Sequence, residues 1–568
     1  MRRFFLCTLI AFIAFSGAHP QDSTEKKGLD ALSGQAVKAQ LDFLASDWME
    51  GRETGEKGVD MAADYIASMY QVYGLQPADF PDVQSGFASR RNRRAGSGSA
   101  NPMDYFQEFA LMKTAKSDDH ELAVITEASG TRKTTRFSYY NDFGFMSRPV
   151  ISQEGEFPVV FVGYGLVDEE NDYNDYKGVD VKGKVVLRLI GYPGHRDTTS
   201  PAYQKFHPGG NAWTKYRAEL DRNEFAVEKG AVAVIAVFTV TDITLDFATN
   251  IFRYNYGDYE GDVPPVSGHT SRMYFPGDTL SKSIPVFSAT PRIANELTAG
   301  TKVNLESFEK QAQETMKPDS REIRDKKVYF RQTVKTSVIA ARNVLGMIEG
   351  ENPEEIIVIG AHYDHLGKYD GKVYNGSDDN ASGAVAVMSI ARACMATGVK
   401  PKRSILFASW TAEEKGLLGS EYFAAHPPAG KIIAYLNYDM ISRNDDDDTL
   451  GVKCSMTYTQ SYTMFEEISR KWNEKYGLGL EINYKPREKP TGGSDHNAFV
   501  HKDIPVFYYM AGWHDDYHRP GDHPEKADIE KMTNIIRLGF LSIWDIANGE
   551  GIKSDFHPIT PASQASPL

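Results

Sequence analysis

The stretch EIIVIGAHYDHLG, residues 355–367, sets the reading of the chain. Its near-continuous apolar run, 355–361, has the texture of a strand buried on both faces, and it delivers a histidine, His362, at its end. Three later runs share that texture: 404–410, 432–438 and 504–510. Segments of helical periodicity follow or intervene, at 384–396, 417–425, 462–476 and 528–548. This alternation predicts an α/β domain over 330–550, with a mixed, largely parallel central sheet flanked by helices.

Ligands of open α/β sheets bind outside the carboxyl ends of the strands. Five fragments place metal-binding side chains just past such runs: GAHYDHLG (360–367), SDDNASG (377–383), ASWTAEEKGLLGS (408–420), LNYDMIS (436–442) and DYHRPGDHPEKAD (516–528). The order His, Asp, Glu-Glu, Asp, His is a ligand set for two metal ions, and it points to a hydrolase. His362 and His518 are the natural imidazole ligands, and Glu414 and Asp439 complete one ion each. Asp379 is the natural bridge, because the Gly/Asn/Ser-rich stretch 375–383 can bring backbone close to the ions. Carboxylates and imidazoles alone suit zinc first, then cobalt or manganese.

Asp364, two residues beyond His362, is placed to hold the other nitrogen of that histidine. Glu413 is the spare carboxylate beside the ligands, and two cations acidify a shared water enough for it to act as general base near neutral pH. Histidines 365, 496, 501, 514 and 523 are not counted as ligands. Each fragment alone has a plainer reading, since a strand-end Asp usually caps a turn and a Glu pair entering a helix offsets its dipole. All five in order make accident the weaker reading.

The chain has 568 residues, 41% hydrophobic and 25% charged, which is ordinary for globular protein and leaves room for several domains. The net charge of −14 and the absence of a basic patch give no sign of a nucleic-acid partner. Arg2 and Arg3 precede the apolar run 4–15 and the small residues Ser16, Gly17 and Ala18. That pattern predicts a signal peptide over 1–18, an exported chain, periplasmic or secreted, and no stable membrane insertion after cleavage. Cys394 and Cys454 remain, and nothing in the sequence requires them to pair.

Residues 31–75 read as two helices, with Val37, Leu41 and Leu44 on one face, Ala62, Ile66, Met69 and Tyr73 on another, and Gly74 as a stop. Between them, 46–53 reads as a polar turn. Residues 88–102 have loop composition, and 552–568 read as a disordered tail. From about 150 the texture changes to short β-like runs (159–162, 184–189, 231–238, 284–288) without a ligand cluster, which suits a separate binding or lid module.

These fragments resemble the family-28 zinc metallopeptidases, the co-catalytic aminopeptidases. FLASDWMEGRETG (43–55) and AADYIASMYQVYGLQP (62–77) are similar to the family's N-terminal segment, and NVLGMIEG (343–350) to the strand re-entering its catalytic domain. YKGVDVKGKVVLRL (176–189), EKGAVAVIAVF (228–238) and SIPVFSA (283–289) resemble a protease-associated domain. The resemblance implies a catalytic domain split into 28–148 and 330–550 around a β-rich protease-associated insertion, 149–315. It implies two zinc ions held by His362, Asp379, Glu414, Asp439 and His518, with Glu413 as base and Tyr517 steadying the oxyanion. GSDH (493–496) would form pocket wall or sit just behind the ligands.

The activity implied is removal of N-terminal residues from peptides or small proteins. A carboxypeptidase of acidic C-termini is the main rival, and would need clustered arginines, with Arg443, Arg487 and Arg519 as candidates. A glutaminyl-cyclase-like transferase and a non-catalytic receptor are weaker rivals, because every ligand position is filled. Oligomeric state and side-chain preference stay open.

Overall fold

The computed structural model describes residues 20–78, 102–115, 119–128, 130–139, 141–147, 151–209, 212–237, 272–278, 284–369, 371–550 and 552. The expected signal peptide, most of the 88–102 loop and nearly all of the tail lie outside them. Among the described residues, no helix is long and apolar enough to cross a membrane. The described residues fall into two compact units, one drawn from Met1–Glu108, Arg342–Gly367 and Val373–Leu568, the other from Phe109–Ala341 and Lys368–Lys372.

The first unit opens with helices α1 (Pro20–Asp30), α2 (Gly34–Leu44) and α3 (Lys57–Tyr73). Ser33 caps α2 by accepting the Ala36 amide proton, a contact worth about 1 kcal/mol. Gly74 ends α3 at φ 85°, a left-handed conformation that glycine adopts without a side-chain penalty. The runs read from the sequence then appear as β1 (Lys335–Ile348, entering this unit at Arg342), β2 (Asn352–His362), β3 (Arg403–Trp410), β4 (Lys431–Tyr438), β5 (Lys453–Thr459), β6 (Glu481–Arg487) and β7 (Val506–Met510).

These strands lie in the order β1-β3-β2-β4-β7-β5-β6. The centre is parallel, with β2 between β3 and β4, and β7 beside β4. β1 and β5 run antiparallel to their inner neighbours. Parallel strands need crossovers, which bury both faces of the sheet. The crossovers include α4 (Gly383–Ala396), α5 (Leu418–Ala425), α6 (Met464–Tyr476) and the short α7 (His496–Val500); α8 (Ile529–Asn548) closes the unit. α4 and α8 pack with Ile357, Ile359, Phe407 and Leu436 in one continuous core. Cys394 on α4 and Cys454 on β5 are both buried and free.

The second unit carries an eight-stranded sheet in the order Thr131–Phe137, His120–Ala128, Arg321–Gln332, Gln153–Phe161, Val185–Leu189, Ala233–Val237, Val286–Ala289, Phe143–Ser147. The four β-like runs expected beyond residue 150 are all strands of this sheet. Its edges come from outside the expected 149–315 segment. His120–Ala128 pairs with Arg321–Gln332, and Phe143–Ser147 with Val286–Ala289. Such long-range partners carry no local sequence signal. Phe145, Phe161, Leu187, Ile235, Phe287 and Phe330 form its core.

Candidate metal centre

β2, β3 and β4 end side by side, with His362 opposite Trp410 and Gly360 opposite Asn437 in the ladder. His362 is the last residue of β2, Glu413 and Glu414 follow β3 by a few residues, and Asp439 follows β4 directly. The parallel centre therefore delivers three of the five ligand fragments to one edge. His518 arrives on the loop after β7. Asp379 arrives on the turn before α4, where Gly376 has φ 55° and a Cβ would fall 2.2 Å from the Asp379 carbonyl oxygen. Only glycine tolerates that approach.

All five expected ligands converge. His362 Nε2 lies 3.3 Å from Asp379 Oδ1, 3.6 Å from Asp439 Oδ1 and 3.8 Å from Glu413 Oε2. His518 Nε2 lies 3.0 Å from Asp379 Oδ2 and 3.2 Å from Glu414 Oε2. Asp379 thus turns one oxygen to each imidazole. His365, set aside in the sequence reading, is also at the site: its Nδ1 is 2.8 Å from Glu414 Oε1 and 3.9 Å from Asp379 Oδ2. Two groups of potential ligand atoms result, His362–Glu413–Asp439 and His365–Asp379–Glu414. The position of His365, three residues past His362 in the same fragment, was the available signal.

Asp364 is fully buried, and its carboxylate accepts the Glu413 amide proton and the Thr54 hydroxyl, both at 3.1 Å. The nearer partner of His362 Nδ1 is the main-chain carbonyl of Asp364, at 3.2 Å, while the carboxylate lies at 3.8 Å. The Asp379 turn is anchored by Asp522, whose carboxylate accepts the amide protons of Asp378 and Asp379. Asp378 in turn accepts from the amide and hydroxyl of Ser442. Sequence reasoning missed Asp522, four residues past His518. Asp495 of the GSDH stretch is buried, which lifts its carboxyl to about 7.

Tyr517 stacks on His518 with ring centres 3.9 Å apart, and Trp513, 57% exposed, meets Tyr517 edge-on at 4.9 Å. Burial, reinforced by Asp379 and Glu414, holds the Tyr517 phenol well above its ordinary range. The three candidate clamp arginines are differently occupied. Arg443 pairs with Asp516 at 3.0 Å and approaches Asp522 at 3.7 Å, whereas Arg487 and Arg519 are exposed.

The charge balance fits cations. Burial disfavours His518 as an imidazolium, but Glu414 and Asp379 more than reverse this and raise it to about 11. His362 is likewise driven upward against burial by Glu413, Asp379 and Asp439. Burial raises Glu413, partly offset by His362 and reinforced by the neighbouring carboxylates Glu414, Asp495 and Asp439. Four carboxylates crowd around imidazoles that take up protons to neutralise them. Glu414 Oε1 and His365 Nδ1 lie close together, yet neither makes a well-directed hydrogen bond. Buried ligand atoms gathered side by side without hydrogen-bond partners suit a bound metal.

Residues 343–540 match the model of peptidase family M28. Leupeptin-inactivating enzyme 1 of Streptomyces exfoliatus is 31% identical over 191 residues, 32% of this chain and 38% of that one. Leucine aminopeptidase 2 of Trichophyton rubrum is 32% identical over 171 residues, 29% of this chain and 32% of that one. The matches span only about a third of the length of these relatives. The solved aminopeptidase from Aneurinibacillus sp. strain AM-1 shares the fold with a TM-score of 0.55 at 16% identity, over 93% of this chain and 98% of that one.

Proposed function

We propose, from the match of residues 343–540 to the model of peptidase family M28, that the protein is a zinc-dependent aminopeptidase that removes N-terminal residues from peptides. The observation that carries this reading is the carboxylate of Asp379 facing His362 and His518 with its two oxygens. One ion would be held by His362 and Asp439, the other by His518 and Glu414, with Asp379 between them. His365 is a further candidate beside Glu414. When bound, such ions polarise the scissile carbonyl and acidify water.

The chain's own groups do the rest. Glu413, oriented by the hydrogen bond from its amide to Asp364, takes the proton of the attacking water. The same carboxyl then returns that proton to the departing amine nitrogen. Burial suits it to the exchange, because it raises the proton affinity of Glu413 above that of an ordinary carboxylate. Tyr517, stacked on His518, is the candidate donor to the developing oxyanion.

The amino-terminal reading draws support from the relatives named leucine aminopeptidases and from Arg443, already committed to Asp516 and so a poor clamp for a substrate carboxylate. Residues 1–18 support export, periplasmic or secreted, with peptides as substrates.

The test is product analysis by mass spectrometry, using one peptide with a leucine N-terminus in free, N-acetylated and C-amidated forms, with and without a chelator. Chelator-sensitive loss of the N-terminal residue, blocked by acetylation, is expected. Cleavage that survives acetylation and stops on amidation would make the protein a carboxypeptidase instead.

A further inference from the structure

The segment 46–53, which reads as a polar turn, holds a kinked 3-10 stretch, Asp47–Arg52, that leaves helical geometry at Glu50 and Gly51 and whose last residue is wholly buried. Arg52 donates from Nε to the Tyr363 carbonyl at 2.7 Å, from Nη1 to the carbonyls of Leu44 at 2.7 Å and Asn375 at 2.6 Å, and from Nη2 to the Gly376 carbonyl at 2.8 Å. The Arg52 carbonyl accepts the His365 amide proton at 3.1 Å. The next residue, Glu53, accepts from the buried Lys415 ammonium at 2.9 Å. Thr54 then donates its hydroxyl to Asp364 Oδ2 and accepts the Ala412 amide proton, both at 3.1 Å.

Three consecutive side chains thus touch three separate loops. One carries His362 and His365, one leads into Asp379, and one carries Glu413 and Glu414. Gly51 makes the approach possible, since at φ 69° a Cβ there would fall 2.2 Å from the Gly367 carbonyl oxygen. A guanidinium suits the role because its rigid fork can span several carbonyls at once, which a lysine ammonium cannot. Buried carbonyls that lost this donor would be left unpaired in the interior.

We propose that Arg52, Glu53 and Thr54 are positioning residues that set the spacing of the loops bearing the metal ligands, and so tune metal affinity and turnover from outside the ligand set. This rests on the metal-site reading above. It separates the three residues from ordinary core packing, which would move stability alone.

Thr54→Val, which keeps the shape and removes the hydroxyl's hydrogen bonds to Asp364, Ala412 and Thr411, is the primary variant. Thr54→Ser is the conservative control, and Arg52→Lys tests the fork. Each is purified as the full mature chain and examined by circular dichroism and thermal melting. Cobalt affinity is read by chelator competition, the cobalt d–d spectrum is recorded, and kcat and KM are measured on leucine p-nitroanilide.

For Thr54→Val, well below its melting temperature, cobalt affinity should fall about 10- to 100-fold, the usual cost of losing a group that orients ligands from outside the coordination sphere. Its cobalt spectrum should shift, and kcat should fall with KM nearly unchanged. Thr54→Ser should restore all three. Arg52→Lys should show the same pattern, and if it fails to fold, Thr54→Val decides alone. A Thr54→Val protein with a lower melting temperature but wild-type cobalt affinity, spectrum and kcat would overturn the proposal. A parent protein that binds cobalt but cleaves no peptide would sink the aminopeptidase reading, while the spectrum and affinity would still decide the positioning role.

Discussion

His518 Nε2 lies 3.0 Å from Asp379 Oδ2, although the two residues come from opposite ends of the ligand-bearing chain. The other oxygen of Asp379 faces His362. One carboxylate therefore couples the loop after β7 to the end of β2. Any ion held on one side feels the charge committed to the other.

Glu413 stands 3.8 Å from His362 and is kept proton-hungry by burial. Glu413→Gln preserves its size and removes its basicity. Metal content should be unchanged and hydrolysis should drop by at least about a hundredfold, within the usual range for loss of a general base. A near-parental rate in a variant with full metal content would remove Glu413 from that role.

His518 and His365 both face Glu414, but only His518 also lies within 3.2 Å of two carboxylates. His518→Ala should lose one of the two ions, and His365→Gln should keep both and bind them more weakly. Elemental analysis after dialysis at a fixed zinc concentration reads this directly. The opposite stoichiometries would exchange the two histidines' roles.

Asp175, in the second unit, is buried, and one oxygen, Oδ2, accepts the amide protons of both Tyr164 and Leu166. Burial lifts its carboxyl from 3.8 to about 7. The folded form then holds its proton to higher pH than the unfolded chain, so this group's contribution to stability falls as pH rises through that window. Asn can keep both hydrogen bonds without the charge. The melting-temperature advantage of Asp175→Asn over the parent should be larger at pH 8 than at pH 5. An equal difference at both pH values would show that the carboxyl does not titrate as described.

Cys394 and Cys454 are buried and unpaired, and burial pushes the Cys454 thiol up to about 12. Thiolate is the reactive form, so both should resist alkylation in the folded state. A chain beginning after residue 18 should titrate no fast thiol natively and two after denaturation. A count of none in denaturant without reductant would indicate a disulfide.

What the sequence by itself determined is what local pattern encodes. The apolar runs ending at His362, Trp410 and Tyr438 became parallel neighbours, and the side chains just past them met at one edge because strand ends in such a sheet share a side. The helices between those runs were likewise legible from period and stop residues. Tertiary structure alone decided which distant groups complete the site. Arg52 reads in sequence as one more charged residue of a turn, yet it is buried with its hydrogen bonds spread over three segments. Asp522 was hidden for the same reason, as was the reach of the second sheet back to His120. A hydrogen bond or strand pairing across hundreds of residues leaves no periodicity behind, because it is set by where the chain returns in space and not by its neighbours along it.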